Sequence, residues 1–190
     1  MGKRKSRKID WGKIAVEMIS VIFAVLLALL LNEWRNNIKQ NHQLDKARAN
    51  LKEELLYNLE EAKTKLNQHN IQLTQLEKLA DSIPELDQPF YQYNMSVGFL
   101  NLKKAVWESI ILTDVVNQLE FSELSDYSEL YRDFELIDEL QNAYLREVFS
   151  LEFNKIENAQ QGYLVTKNHL LQMTMWEGEL ISEIDGRLEN

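Results

Sequence analysis

The distribution of apolar and polar positions divides the chain into one uniformly apolar helix and several amphipathic ones. Residues 14–32 read IAVEMISVIFAVLLALLLN, and their single charged residue is Glu17. A helix needs about 20 residues to cross about 30 Å of hydrocarbon, and the stretch from Trp11 to Trp34 is long enough. Tryptophan favours the headgroup level, so these two residues are the expected interface anchors. The pattern predicts a transmembrane helix over residues 14–34.

Two other interpretations of this helix are disfavoured by its composition. A cleaved signal peptide needs small residues at its cleavage site, whereas the run ends on the bulky residues 29–31, Leu-Leu-Leu. A core helix of a soluble protein rarely combines so many Leu, Val and Ile residues with a strongly basic flank. A permanent membrane anchor therefore explains the segment best.

Charge asymmetry around the anchor predicts its orientation. Residues 1–13 form a basic tail with six Lys or Arg residues against one Asp, whereas the other flank offers only Arg35 and Lys39 nearby. Positive charge is retained on the cytoplasmic side, so the N-terminus is expected in the cytoplasm and residues 35–190 outside it. No later segment is comparably apolar, which predicts a single-pass protein.

Overall composition narrows the partners of the domain that follows. The net charge is −9. Because the first 13 residues contribute +5, the remainder carries −14, which disfavours nucleic acid as a partner. The basic tail instead suits the anionic headgroups of a lipid bilayer. The absence of cysteine excludes disulfides and thiolate metal sites. About 155 residues after the anchor suffice for one domain with its own core.

Helical periodicity continues beyond the membrane segment. Residues 35–79 contain neither Pro nor Gly, and apolar positions recur there at alternating spacings of four and three, which predicts a long helix or stalk over 35–82. This helix-packing seam is expected to pack within the chain or to pair with a second copy. We interpret its one histidine as hydrogen-bonded to a facing helix rather than as a metal ligand. The seam comprises Leu55, Leu59, Ala62, Leu66, His69, Leu73 and Leu76.

The rest of the chain predicts further helices separated by turns. Pro84 and Pro89 mark a loop over 83–99, and helices are expected within 100–190. The first is predicted over 100–112 with Trp107 and Ile110 inward, and the second over 123–159. Ser122 and Ser125 are candidate N-caps of the second helix, and Gly162 is expected to end or kink it. A further helix is predicted over 164–175, with residues 176–188 continuing it past Gly178 and ending near Gly186. The fold class is therefore all-α, with the anchor continuing into a three- or four-helix antiparallel bundle.

The membrane helix carries a specific pattern besides its hydrophobicity. Glu17, Ala28, Leu29, Asn32 and Trp34 follow a spacing that resembles a family of small single-pass membrane proteins common in the Bacteroidetes. The resemblance continues more loosely in a Trp-Glu-Ser, Asn-x-Leu and Tyr-rich pattern over 107–131. It implies a bacterial inner membrane, a periplasmic helical domain and no particular activity.

Catalytic motifs are absent from the sequence. It contains no Gly-x-Ser-x-Gly, no Gly-rich phosphate loop and no His-Glu-x-x-His, so we expect neither an enzyme nor a bound cofactor or metal. His42 and His169 lack the preceding Glu of di-iron helical bundles. Adjacent acids such as Glu53 and Glu54 are expected on the solvated surface.

Glu17 is the one residue whose position invites a functional hypothesis, because carboxylates inside membranes are costly. Lys13 lies one helical turn earlier, so a local Lys–Glu pair at the interface is the favoured interpretation. A ring of Glu17 side chains in an oligomer could instead bind cations or relay protons. The expected function is an interaction or scaffold module that self-associates or docks another envelope protein. The alternatives are a periplasmic sensor subunit without its own output domain and an ion-conducting oligomer.

Overall fold

The computed structural model describes residues 11–80, 97–150 and 155–189, and every element of regular secondary structure among these residues is a helix. The prediction of an all-α fold is confirmed. The four helices are α1 (Trp11–Ala80), α2 (Ala105–Ile111), α3 (Phe121–Ser150) and α4 (Ala159–Glu189), with 3₁₀ turns at Asp114–Gln118 and Ile156–Asn158.

The chain divides into two units, Met1–Asp45 and Lys46–Asn190. In the first unit, α1 is the one helix of the described residues that is long and apolar enough to cross a membrane. Every side chain over 17–34 is exposed, and Phe23 is 66% exposed. A water-soluble surface rarely leaves so large an apolar area uncovered, so this part of α1 is a candidate membrane span.

The second unit is a bundle in which α4 runs antiparallel to α1. Lys63 pairs with Asp185 at 3.3 Å, and His69 pairs with Glu177 at 2.9 Å. Residue numbers therefore rise along α1 while they fall along α4, as expected for neighbouring helices that run in opposite directions.

Helices α1 and α3 run in the same direction. Arg48 forms a 2.7 Å ion pair with Glu123, and Glu54 accepts a 2.6 Å hydrogen bond from Tyr131. Two helices in one direction need a connection that returns along the bundle. The described part of that connection consists of residues 97–104, which we call the strap, followed by α2 and the 3₁₀ turn at Asp114–Gln118.

Geometry shows that the strap is extended. Gly98 lies beside His69, and Lys103 lies beside Asn58. The eleven-residue separation on α1 spans about 16 Å at 1.5 Å per residue. Five steps of the strap cover this distance only at about 3.3 Å per residue, the rise of an extended chain. Burial alternates accordingly, with Leu100 and Leu102 inward.

The bundle has two apolar clusters with buried polar groups between them. The larger includes Leu51, Leu55, Trp107, Phe134 and Ile184, and the smaller consists of Leu76, Ala159, Tyr163 and Leu170. On α1 the buried residue between Ala62 and Leu76 is His69. We call the buried polar residues at this level the polar layer; they are His69, Gln141, Tyr144, Thr166, His169 and Glu177.

Two predicted helix starts differ from the structure. Helix α2 begins at Ala105 rather than at residue 100, because the strap occupies the preceding positions; Trp107 and Ile110 are nevertheless buried. Helix α3 begins at Phe121, and neither predicted serine caps it. Instead the carboxylate of Glu123 accepts a hydrogen bond from the Glu120 backbone N–H at 3.1 Å.

The predicted end of the second long helix is also wrong. Helix α3 is described as far as Ser150, residues 156–158 form a 3₁₀ turn, and α4 runs without a break from Ala159 to Glu189. Gly162 is buried inside α4 rather than ending a helix, whereas the predicted continuation of the 164–175 helix past Gly178 is confirmed. Burial against the other helices outweighs the intrinsic cost of about 1 kcal/mol for a helical glycine.

Candidate functional site

Side-chain amides form hydrogen bonds with the backbone of the strap, as a neighbouring strand would in a sheet. Gln141 accepts a 2.6 Å hydrogen bond from the Leu100 backbone N–H and donates one of 3.1 Å to the same residue's carbonyl. Asn58 pairs with Lys103 in the same way, with both distances 2.8 Å. Buried peptide groups need partners, and these two amides supply four of the bonds that secondary structure would otherwise provide.

Glu54 joins three elements through one carboxylate. It is only 6% exposed, so the expectation that it lies on the solvated surface is wrong. Its oxygens accept hydrogen bonds from the backbone N–H groups of Val106 at 2.9 Å and Trp107 at 3.4 Å, and from the Tyr131 hydroxyl at 2.6 Å. Helix α2 has no side-chain cap of its own at Lys104. Glu54 therefore caps α2 from α1, where a negative charge is favoured.

The tyrosine that Glu54 binds is held in its neutral form. Burial, together with the hydrogen bond to Glu54, raises the pKa of Tyr131 far above its usual range. Its ring stacks on Trp107 with centroids 5.3 Å apart. The hydroxyl is thus a permanent donor to Glu54, which fixes the position of α3 against α1 and α2.

His69 connects α1 to both the strap and α4. Its Nε2 lies 2.6 Å from the Gly98 carbonyl, and its Nδ1 lies 2.9 Å and 3.1 Å from the two carboxylate oxygens of Glu177. Both side chains of the pair are fully buried. Burial raises the pKa of Glu177, and the hydrogen bond and charge of His69 oppose that rise.

Hydrogen-bond chemistry limits the protonation states of this pair. A carbonyl only accepts, so Nε2 of His69 carries a proton. Between Nδ1 and the Glu177 carboxyl there is then one further proton, carried either by the ring or by the acid. Both arrangements are neutral overall and satisfy the same contacts. Removing that proton would set a carboxylate against a ring lone pair, which is an unfavourable contact inside a bundle.

His169 lies beside this pair in a different environment. Its ring stacks on Tyr144, with centroids 4.1 Å apart and planes at 8°, and the Tyr144 hydroxyl lies 3.2 Å from that of Thr166. His169 is 5% exposed, and its Nε2 is buried with no hydrogen-bond partner in the structure. Burial, followed by the nearby His69, lowers the pKa of His169 to about 4. It is therefore neutral at pH 7.

The residues of the polar layer do not form a metal site. Over the described ranges 11–80, 97–150 and 155–189, no three His, Asp or Glu side chains come together in a way that could hold a metal ion.

The candidate membrane span of α1 has two chemically different faces. Small and polar residues follow one another at spacings of three or four, which places them within a sector of about 120° at 100° per residue. They are Glu17, Ser20, Ala24, Ala28 and Asn32, and we call them the small-polar face. The same sector also contains Val21 and Leu31. The remaining sectors carry large apolar side chains such as Ile22, Phe23, Leu26, Leu29 and Leu30, all of them exposed.

The residues predicted from the sequence divide between the two units. Glu17 and Trp34 are exposed in the first. The side chains of Trp11 and Lys13, the tail over 1–10 and the loop over 83–96 lie outside the described residues, so the Lys13–Glu17 pair stays a prediction. The seam lies in the second unit and packs within the chain: Leu66 and Leu73 are half-buried, and the other seam residues are buried, namely Leu55, Leu59, Ala62, His69 and Leu76.

Comparison with known proteins adds no relative to this picture. No family model, curated protein or solved structure matches the chain. The functional interpretation therefore depends on the geometry of the chain's own residues.

Proposed function

We propose that the protein is a membrane-anchored helical module of the bacterial inner membrane that self-associates through α1 and presents its bundle in the periplasm. The observation that carries this proposal is the small-polar face. In lipid, large apolar side chains gain nothing by leaving the acyl chains for each other. Small residues in one row allow two helix backbones to approach closely, and polar side chains in that row can hydrogen-bond across the contact.

The packing of the helix-packing seam within its own chain also favours the small-polar face as the surface of self-association. Two chains could have paired along Leu55 to Leu76, but those residues are covered by the strap, α3 and α4 of their own chain. The side chains over 17–34, in contrast, are exposed. A second copy of the chain is the partner we propose for this segment. Glu17 lies near one end of the small-polar face and Asn32 near the other, so two identical parallel helices would place each of these residues beside its counterpart.

Self-association is tested with the full-length protein in lipid vesicles, by energy transfer between donor- and acceptor-labelled copies at varied protein-to-lipid ratios. Ala24→Leu and Ala28→Leu add bulk to the small-polar face, so each is expected to weaken association at least about fivefold, or about 1 kcal/mol. Leu26→Phe adds bulk to the opposite side of the helix, about 160° from each of the two alanines at 100° per residue, and is the control, with no expected change. Equal effects of Ala24→Leu and Leu26→Phe would contradict the proposal.

An ion-conducting oligomer would use the same self-association through α1 and would in addition conduct ions. Glu17 belongs to the small-polar face, so association would gather these carboxylates. Glu17→Gln distinguishes the two ideas in the same vesicles, because conduction needs the carboxylate whereas scaffolding needs only the helix contact.

A sensor subunit is the second candidate. It is favoured by the polar layer, in which an unpartnered histidine lies beside a cavity between α3 and α4. Since the described chain contains one candidate span, signalling would require an output partner in the membrane, and α1 would contact it.

A further inference from the structure

Helix α4 carries a second row of apolar residues on its exposed side. Leu164, Leu171 and Met175 are 49%, 49% and 52% exposed, and the exposed Asn168 lies between the first two. The four residues follow one another at spacings of four, three and four, which is the seam spacing of coiled coils. At 100° per residue they lie within about 40° of the direction opposite to the buried Thr166. We call these four residues the outer seam, and it faces away from the core of the bundle.

The surface around the outer seam is uncharged. All eight exposed residues of α4 between 160 and 178 lack charge, although 27% of the residues in the chain are charged and charged side chains normally occupy exposed positions. The chain beyond the basic tail carries a net charge of −14, so two copies repel each other over most of their surface. On this side of α4 two copies can meet without bringing acidic groups together.

Asn168 favours a second copy of the chain over an unrelated apolar partner. With Leu164 and Leu171 at the d positions of a heptad, Asn168 occupies an a position. A single asparagine at an a position specifies the register of two helices at a cost in stability. Two parallel copies of α4 place Asn168 beside its counterpart, and a carboxamide can both donate to and accept from a second carboxamide. An apolar partner would bury the same group without a hydrogen bond.

Gly178 extends the uncharged side of α4 and suits the close approach of a second helix. It lies three positions after Met175, inside α4, where glycine is less favourable than alanine. A Cβ added at Gly178 would meet no atom of the described chain within 4 Å, so packing within the chain does not require a glycine there. A helix from another chain could lie closer to the backbone at this position than at any position with a side chain.

We propose that the outer seam of α4 pairs with the outer seam of a second copy, in parallel and in register. The seam is only about 16 Å long at 1.5 Å per residue, which is short for an interface that holds two soluble proteins together. Confinement in one membrane raises the effective concentration of the copies and compensates for the small contact. The inference therefore rests on the membrane anchor of the proposed function, but not on contact between the α1 helices.

Energy transfer between labelled full-length copies in lipid vesicles tests the contribution of the outer seam. Leu171→Glu sets two carboxylates against each other in an in-register pair, so it should weaken association at least tenfold. Leu56→Glu is the matched control, because Leu56 is 48% exposed on α1 within the second unit and lies outside the outer seam. This control should associate like the unmodified protein. Equal association of the two variants would overturn the proposal.

Oxidative cross-linking in the same vesicles identifies which surfaces meet. The chain contains no cysteine, so Leu171→Cys and Leu56→Cys each introduce a single thiol at an exposed position. We expect copper phenanthroline to convert Leu171→Cys, and not Leu56→Cys, into a disulfide-linked dimer. If Ala24→Leu weakens association while Leu171→Cys cross-links no more than Leu56→Cys, self-association is confined to α1 and the pairing of α4 is overturned. If Leu171→Cys cross-links while Ala24→Leu has no effect, the outer seam stands and the contact through α1 is wrong.

Discussion

Replacing Glu54 with Ala is expected to lower the free energy of unfolding by about 3 kcal/mol or more, because hydrogen bonds to a charged group contribute about 1.5–3 kcal/mol each and are not additive. The carboxylate accepts bonds from Val106, Trp107 and Tyr131, and all three donors would lose their partner inside the bundle. Urea unfolding of the full-length protein in detergent, followed by tryptophan fluorescence, measures the loss.

The adjacent acid provides a matched control for that experiment. Glu53 is exposed, so Glu53→Ala should change the free energy of unfolding by no more than about 0.5 kcal/mol. Glu54→Gln keeps one acceptor oxygen and should fall between the two. A loss for Glu54→Ala as small as that for Glu53→Ala would show that Glu54 does not cap α2 in solution.

The second large effect is expected at the buried pair of His69 and Glu177. His69→Leu should cost about 3–5 kcal/mol, the range observed when one member of a buried ion pair is removed. The variant leaves the fully buried Glu177 without the imidazole and leaves the Gly98 carbonyl without its donor. The same urea unfolding measures it, with His42→Leu, at an exposed position on α1, as the control.

A double variant measures how much of the loss in stability comes from the interaction between His69 and Glu177. In His69→Leu/Glu177→Leu the carboxyl group is gone as well, so the double variant should be more stable than His69→Leu, with a residual deficit of about 1 kcal/mol from the Gly98 carbonyl. If the double variant loses as much as the two single losses together, the two residues do not interact as the geometry indicates.

The parts of the fold that a local pattern encodes could be predicted from the sequence. The spacing of apolar residues on α1 predicted a helix and its inward face, and Leu55, Leu59 and Ala62 lie in the core. The same periodicity predicted that Trp107 and Ile110 point inward. These features depend on periods of 3.6 residues, which a single stretch of sequence contains in full.

The strap could not be predicted in this way. Residues 100–104 read Leu-Asn-Leu-Lys-Lys, whose intrinsic preferences suit a helix, yet they are extended because Asn58 and Gln141 bind their backbone from elsewhere in the chain. Such contacts join residues more than 40 positions apart and leave no periodic signal. The buried position of Glu54 could not be predicted for the same reason, since its hydrogen-bond donors lie more than 50 positions away.

The polar layer could be predicted from the sequence only in part. His69 was recognisable because it interrupts an apolar seam, and a hydrogen-bonded role was the expected one. Its partner Glu177 lies 108 positions away and could not be identified. His169 carried no local motif, and the cavity beside it depends on how α3 and α4 pack.

The orientation of the anchor is the claim on which the compartment and the proposed role depend, and thiol labelling tests it most directly. The chain contains no cysteine. Ser182→Cys, at an exposed position on α4, and Ser6→Cys, in the basic tail, therefore each introduce a single thiol. A membrane-impermeant maleimide is added to spheroplasts of a Gram-negative host. We expect labelling of Ser182→Cys in intact spheroplasts and labelling of Ser6→Cys only after lysis. If Ser182→Cys stays unlabelled until lysis, the bundle lies in the cytoplasm, and both the orientation and the periplasmic role are wrong.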